Sequence, residues 1–250
     1  MFANRYQLLG VLGQGGCGIV HRALDVEQRR EVALKTLLAP YDVEDARRFE
    51  REARALLTLD HPHVIRALDV VAGPPPALVL PLIAGGSLQD RLEAGPLPID
   101  EVLRLGQRIA EALVYVHSRG LLHRDLKPAN VLLDEGRPLL TDFGLVLGPR
   151  GHSITATGEV LGTPGYLAPE QALGQPVGPW TDVYGCGALL YALLAGRPPF
   201  LAASALQTLQ QVVDQAPPSL RAARPEVPEW LERVVLRCLA KAPARRYASA

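Results

Sequence analysis

Two adjacent glycines, Gly85 and Gly86, divide the chain into stretches of different hydrophobic period. That change of period constrains the architecture more than any other feature. Before it, the signals are mostly those of strands. Leu8 to Leu12 is an apolar run that ends in Gly13-Gln14-Gly15-Gly16-Cys17-Gly18, and Ile19 to Ala23 can return as the second arm of a hairpin. Glu31 to Leu37 alternates as a strand does, and Asp42 to Leu59 has helical spacing with an acidic start. Ala67–Val71 and Ala77–Leu80 flank Gly73-Pro74-Pro75-Pro76 and read as a strand pair joined by a stiff turn. After the two glycines, Val102, Leu105, Ile109, Leu113 and Val116 recur at steps of three and four, which is one helix face. No helical period persists between 121 and 170, a connection long enough to be functional in a compact domain. Helical patterns return at 181–194, 202–215 and 228–239. The expectation is a small strand-rich lobe followed by a larger helical one, with the boundary near Ile83–Gly86.

Composition narrows the function classes. Apolar residues are 48% and charged residues 21% of 250, which excludes a disordered chain. The 26 basic and 26 acidic residues cancel, so nothing global marks a nucleic-acid or anionic-membrane partner. Cys17, Cys186 and Cys238 form no C-x-x-C pair, as expected of a reducing compartment rather than a disulfide framework or zinc site. No run of apolar residues is long enough for a membrane span, and the first residues lack a basic-then-apolar leader. A cytoplasmic chain is expected, or the cytosolic part of a longer membrane-linked one.

Chemistry concentrates at five places. Gly13-x-Gly15-x-x-Gly18 alone is a weak signal, since a tight hairpin explains it. Its setting between two strands, not between strand and helix, suits a backbone cover over phosphates. In Val32-Ala33-Leu34-Lys35, the small Ala33 and the cation Lys35 share a strand face, leaving room for a flat ring beside a charge. Lys35 is one of only three lysines, with 127 and 241. Glu52 is the expected ion-pair partner, because Phe49, Ala53 and Leu56 turn that part of the helix inward; Glu44 and Glu50 are rivals. Finally, Leu122-His123-Arg124-Asp125-Leu126-Lys127-Pro128-Ala129-Asn130 precedes Thr141-Asp142-Phe143-Gly144 and Gly162-Thr163-Pro164-Gly165-Tyr166-Leu167-Ala168-Pro169-Glu170. Singly, Asp125 or Asp142 would pass as turn residues. In this order, after a glycine loop and a lysine strand, they do not.

This set resembles the protein-kinase signature, and the likeness runs from about Tyr6 to Tyr247. Lys127-Pro128 and Thr163 resemble bacterial serine/threonine kinases of eukaryotic type more than tyrosine kinases. The resemblance implies an α+β, two-lobed protein-kinase fold: a small antiparallel-sheet N-lobe with one helix (about 1–82), a hinge (about 81–86) and a larger helical C-lobe (about 87–250) whose last helix, beginning near Arg246, is cut short. It implies transfer of the ATP γ-phosphoryl group to Ser/Thr hydroxyls of protein substrates, with Mg²⁺, or Mn²⁺ in its place. Gly13, Gly15 and Gly18 would cover the phosphates, and Lys35, fixed by Glu52, would hold them. Asp142 and Asn130 would bind metal, Asp125 would take the hydroxyl proton, and Lys127 would steady the γ-phosphoryl. Adenine would lie between Val20, Ala33 and Leu132, against Leu80 and the Ile83 N–H. Pro81 departs from the usual acidic hinge residue, yet it keeps its carbonyl.

Regulation is expected from the segment after Asp142. Thr155 and Thr157 would be autophosphorylated, in trans if two copies pair, and Arg124 would bind the phosphate. Thr163 would belong to the substrate platform. The resemblance also implies that Asp182 braces the 123–125 turn, that Glu170 pairs with Arg246, and that Leu56, His123 and Phe143 stack between the lobes. His61 and His63 read as a turn, Cys17 as inert, and Ala129 predicts no strong preference for basic substrates. A pseudokinase scaffold and a small-molecule phosphotransferase are the alternatives. The first would lack Lys35, Asp125, Asn130 or Asp142, and the second would lack the 162–170 platform; this chain has all of them.

Overall fold

The computed structural model describes residues 1–15, 18–143 and 164–250. Five strands form one antiparallel sheet: β1 (Tyr6–Gly15), β2 (Gly18–Asp25), β3 (Arg30–Thr36), β4 (Asp69–Val71) and β5 (Ala77–Pro81), in the order β1-β2-β3-β5-β4. The two-residue period explains how it is covered. Val32, Leu34, Ala77 and Val79 point into a cluster with Tyr6 and Ala23. Ala33, Leu78 and Leu80, on the opposite face, join the main core with Phe49, Ala53 and Leu56 of α1 (Val43–Leu56). Helix α1 starts where its sequence offers a reciprocal cap. The Asp42 carboxylate accepts the Asp45 N–H at 2.8 Å, and Asp45 accepts the Asp42 N–H at 3.3 Å. Pro81 is tolerated because β4 pairs with β5 only as far as Val79, so the missing N–H leaves no neighbour unpaired.

The second lobe is helical: α2 (Leu88–Glu93), α3 (Ile99–Ser118), α4 (Pro169–Ala172), α5 (Pro179–Ala195), α6 (Ala205–Asp214), α7 (Leu220–Ala223) and α8 (Glu229–Cys238). The five apolar residues read from the spacing of α3 are all buried, each contributing roughly 1.5–3 kcal/mol of transfer free energy. Helix α5 is buried on nearly every side, with α3 and α8 packed against it. Gly196, at φ +78°, ends it.

Three features differ from the expectations. Inside the supposedly featureless 121–170 stretch, β6 (Val131–Asp134) and β7 (Arg137–Leu140) form a hairpin. Its turn residues Glu135 and Gly136 both have positive φ, the tight turn that matches strand twist. Helix α2 went unread because it is six residues long; Ser87 caps it, accepting the Asp90 N–H. Residues 246–250 are not helical. A 3-10 turn over Pro243–Arg245 leads into an extended Arg246, whose guanidinium is held by the carbonyls of Ala240 and Lys241.

The lobes meet at residues 82–86. A Cβ on Gly85 would lie 1.9 Å from the Leu133 carbonyl oxygen, so only glycine allows this approach to β6. The Leu133 N–H donates to the Gly86 carbonyl at 2.9 Å, and Ser87 bridges to Leu132.

Candidate active site

The roof of the interlobe cleft is the β1–β2 hairpin. Gly13 faces Val20 and Gly15 faces Gly18 across it. A Cβ on Gly13 or Gly15 would touch nothing, so both leave open backbone over the cleft. Gly18 is constrained differently: φ is +145° and a Cβ would fall 2.1 Å from the Thr36 carbonyl oxygen. Val20 pairs with Lys35, and Ala33 with Leu80. Ala33 and Leu80 are buried, and Val20, Ile83 and Leu132 pack half-buried against the same core. Of the five residues expected around a flat ring, Ala33 and Leu80 are thus register partners on one sheet face, and the other three belong to the same core, which runs through both lobes. Among the described residues nothing accepts the Ile83 N–H.

The floor is built by the loop before β6. Lys127 Nζ donates to Asp125 Oδ2 at 2.7 Å. Asn130 Nδ2 donates to the Asp125 carbonyl at 2.7 Å and to Asp125 Oδ2 at 2.9 Å. Arg124 sits at φ +65°, a conformation that costs on the order of 1 kcal/mol or more and persists only when surroundings impose it. They do so from both sides. Asp182 Oδ1 accepts the Arg124 N–H at 2.7 Å, Asp182 Oδ2 accepts the His123 N–H at 2.9 Å, and Gln171 Nε2 donates to the Arg124 carbonyl at 2.7 Å. Asp182 therefore braces the turn as expected. Gln171 was not foreseen, because nothing in the local pattern marks a residue that reaches 47 positions back.

Lys35 and Glu52 are not joined. Lys35 Nζ lies 2.9 Å from Asp142 Oδ1, and the lysine side chain is 5% exposed. Among the described residues Glu52 forms no ion pair. Phe49, Ala53 and Leu56 form the inward side of α1, as their spacing predicts, but Glu52 on that side faces the C-lobe loop rather than β3. It shares a small cavity of about 90 Å³ with Leu56, Leu122, Arg124 and Phe143. Burial raises the Glu52 pKa above the usual carboxylate value, and the positive charge of Arg124 opposes the rise. Asp142, at φ +56°, turns its carboxylate to the lysine that Glu52 does not reach.

Beneath the glycine strands lies a cleft of about 330 Å³, into which Lys35, Asp125, Lys127, Asn130 and Asp142 project together with Gln14 and Ala129. A larger cavity of about 400 Å³ lies between α3, α5 and α8, but it is mostly apolar, and among the described residues no acidic, lysine or histidine side chain lines it. Convergent polar groups, not volume, mark the site. Two supports stand behind it. Glu170 and Arg246 form a two-point buried pair at 2.7 and 2.8 Å. The His123 and Phe143 rings lie 4.8 Å apart, and burial lowers the His123 pKa. The expectations for Thr155, Thr157 and Thr163 fall outside the described residues.

The family model described as "Protein kinase domain" matches residues 6–250. The chain is 43% identical to a DNA damage-responsive serine/threonine-protein kinase, RqkA, of Deinococcus radiodurans, over 98% of this chain and 38% of that protein. It is 37% identical to the serine/threonine-protein kinase PrkC of Bacillus subtilis, over 99% of this chain and 39% of that protein. It is 40% identical to the serine/threonine-protein kinase PknL of Mycobacterium bovis, over 99% and 63% respectively. The chain thus spans between about two fifths and three fifths of the length of these relatives.

Proposed function

The chain belongs to the protein kinase domain family, and from that premise we propose that it is an ATP-dependent serine/threonine protein kinase of the bacterial, eukaryotic-like type. One observation carries the proposal. Asp125, Lys127 and Asn130 are already locked together by three short hydrogen bonds at the floor of the cleft, directly across from Lys35 and Asp142.

Phosphoryl transfer asks a protein mainly for positioning and charge neutralisation. Asp125 accepts the proton of the incoming Ser/Thr hydroxyl and aims its oxygen. Lys127, 2.7 Å from that carboxylate, places positive charge where the transferred group gains negative charge. Lys35 holds the phosphates from the roof side. The open backbone at Gly13 and Gly15 covers them. Leu80 and the Ile83 N–H receive adenine, with Val20, Ala33 and Leu132 as walls.

The donor set fits Mg²⁺, with Mn²⁺ as the alternative. Asp142 and Asn130 supply hard oxygens, and among the described residues no cluster of three or more His, Cys, Asp or Glu offers a complete protein cage. Mg²⁺ takes one or two protein oxygens and completes its octahedron with phosphate and water. When bound, the cation supplies charge neutralisation across the phosphates.

Glu52 is the part not in place. Its proposed role beside Lys35 requires α1 to turn from the Arg124 side toward β3. Phosphorylation of Thr155 or Thr157, by a second copy acting in trans, would give Arg124 a doubly charged partner and offset the positive charge that Glu52 now faces without pairing to it. Thr163 is assigned to the substrate platform. No helix of the described chain is long and apolar enough to cross a membrane. A cytoplasmic site of action follows from the ATP requirement.

The test is transfer of labelled phosphate from ATP and Mg²⁺, with phosphosite mapping and an Asp125→Asn control. The expected outcome is label on Thr155 or Thr157 and on a protein substrate. In the control turnover falls by about 10²–10⁴-fold at unchanged ATP affinity. No transfer by the wild-type chain while ATP still binds would favour a scaffold and refute the proposal.

A further inference from the structure

Lysine occurs only at 35, 127 and 241. The first two line the cleft and the third does not. Lys241 is half-buried, and its ammonium is used in three directions. Nζ donates to the carbonyl of Val212 and, at 3.3 Å, to that of Gln211, both in the last turn of α6. It also stands 4.0 Å from the centre of the Phe200 ring, which is buried. The Lys241 carbonyl in turn accepts Arg246 Nη2 at 2.9 Å, and Arg246 is paired with Glu170 of α4.

Space-filling does not account for a cation here. A methionine would occupy the same place without the desolvation that pulls the Lys241 pKa down to about 8. Arg246 pushes it the same way, Asp214 on α6 opposes, and residues 198–204 carry no ionisable side chain. What offsets the cost is position: one charge meets the negative end of a helix dipole and the face of a ring. The compact ammonium has separate donors for two adjacent carbonyls, which a planar guanidinium fork does not match. Both elements it holds lie behind the same surface. A Cβ on Gly165 would fall 2.4 Å from the Phe200 carbonyl oxygen, so the 3-10 turn Pro164–Tyr166 rests directly on that backbone. Helix α6 packs against the same turn and against α4. Thr208 of α6 accepts the Ala202 N–H at 3.0 Å, which joins helix and segment into one unit.

We propose that Lys241 is a positioning residue for the protein substrate: its ammonium locks the end of α6 to the Phe200 segment, and the two together seat residues 164–170, the part of the platform on which a substrate chain is laid. This rests on the kinase reading of the cleft and extends it to recognition of the protein rather than of ATP. Without the ammonium, the last turn of α6 loses its charge partner and the Phe200 ring loses its cation. The 3-10 turn then loses its fixed backing. Asp125, Lys127 and Asn130 are bonded to one another in a separate loop and keep their geometry. The glycine strands belong to the other lobe.

The experiment compares wild type, Lys241→Met and Asp125→Asn, with myelin basic protein as the substrate probe, for kcat, for KM of the protein and for KM of ATP. Methionine keeps an unbranched apolar stem and removes the charge. The expected result is a KM for the protein raised about tenfold in Lys241→Met, which the joint loss of a helix-end charge and a cation–ring contact can supply. KM for ATP, and kcat at saturating protein, stay near wild type. A variant that only loosens the fold lowers kcat through a smaller active fraction and leaves both KM values alone. That pattern overturns the proposal, and so does a variant with wild-type kinetics. A readout on the unaltered chain stands even if Lys241→Met does not fold. The ammonium loses its proton as the pH rises through about 8, so the wild-type KM for the protein should climb there. A KM that stays level through that pH, or that climbs equally in Lys241→Met, refutes the proposal. A wild-type chain no faster than Asp125→Asn would refute the kinase reading itself, and this proposal with it. That result differs from an active wild type matched by its Met variant.

Discussion

The ion pair between Glu170 and Arg246 gives the sharpest stability prediction. The Arg246 side chain is 0% exposed and that of Glu170 is 3% exposed. All the guanidinium's directions are used: two bonds to the carboxylate, and one each to the carbonyls of Ala240, Trp180 and Lys241, all between 2.7 and 2.9 Å. Replacing Arg246 with methionine keeps the volume and removes every donor. Breaking a buried pair by deleting one partner costs about 3–5 kcal/mol, and each stranded carbonyl adds about 1 kcal/mol or more. The expected loss exceeds roughly 5 kcal/mol, a large part of the total stability of about 5–15 kcal/mol for a domain. Urea unfolding followed by tryptophan fluorescence measures it, since Trp180 adjoins the pair. The double variant Glu170→Gln/Arg246→Met removes the stranded charge as well and should regain about 3 kcal/mol over the single variant. A single variant that loses less than about 2 kcal/mol, or a double variant no more stable than the single one, would show that this buried charge is not desolvated as its surroundings indicate.

Two other outcomes follow from the geometry. Gly13→Ala and Gly15→Ala should melt like wild type and raise KM for ATP, because a Cβ there meets only the open cleft; Gly18→Ala should lower the melting temperature by several degrees, since its Cβ would strike Thr36. Equal melting of all three would refute the distinction. Burial lowers the His123 pKa, so the unfolded chain binds a proton that the folded chain does not. Stability should therefore be full above about pH 6.5 and fall as the solution is acidified below it. His123→Phe should flatten that part of the pH–stability curve, and an unchanged slope would place the acid sensitivity elsewhere.

The residues legible from sequence were those whose chemistry is local. Asp125, Lys127 and Asn130 sit within six positions, so the chain itself brings them together. The strand alternation around Lys35 and the three- and four-residue steps of α3 predicted their buried faces directly. Orientation between elements was not legible. Glu52 was placed on the inward side of α1, and it is there, but which of two inward targets it meets depends on how the whole helix is turned. Gln171 acts across 47 positions, and no local period records such a contact. The β6–β7 hairpin was missed for a different reason: its strands are four residues each, too short to show a period, although Glu135-Gly136 marks its turn.

The close approach of Gly85 to Leu133 makes the interlobe strap behave as a short axle. From Gly85 onward the backbone is fastened to β6, and up to Pro81 it belongs to the sheet. Only Leu82, Ile83 and Ala84 lie between, and a second fastening lies at residues 63–65, where the Ile65 N–H donates to the Leu140 carbonyl and the Leu140 N–H to the His63 carbonyl, so a change in the angle between the lobes that keeps both attachments turns close to these two places. Ile83 sits on that axis. A base held by its N–H would move little as the cleft opens and shuts, whereas the glycine tips at the far end of the lever sweep the widest arc. For a nucleotide bound as proposed, the base end would stay near this crossing while the phosphate end lies under the glycine tips.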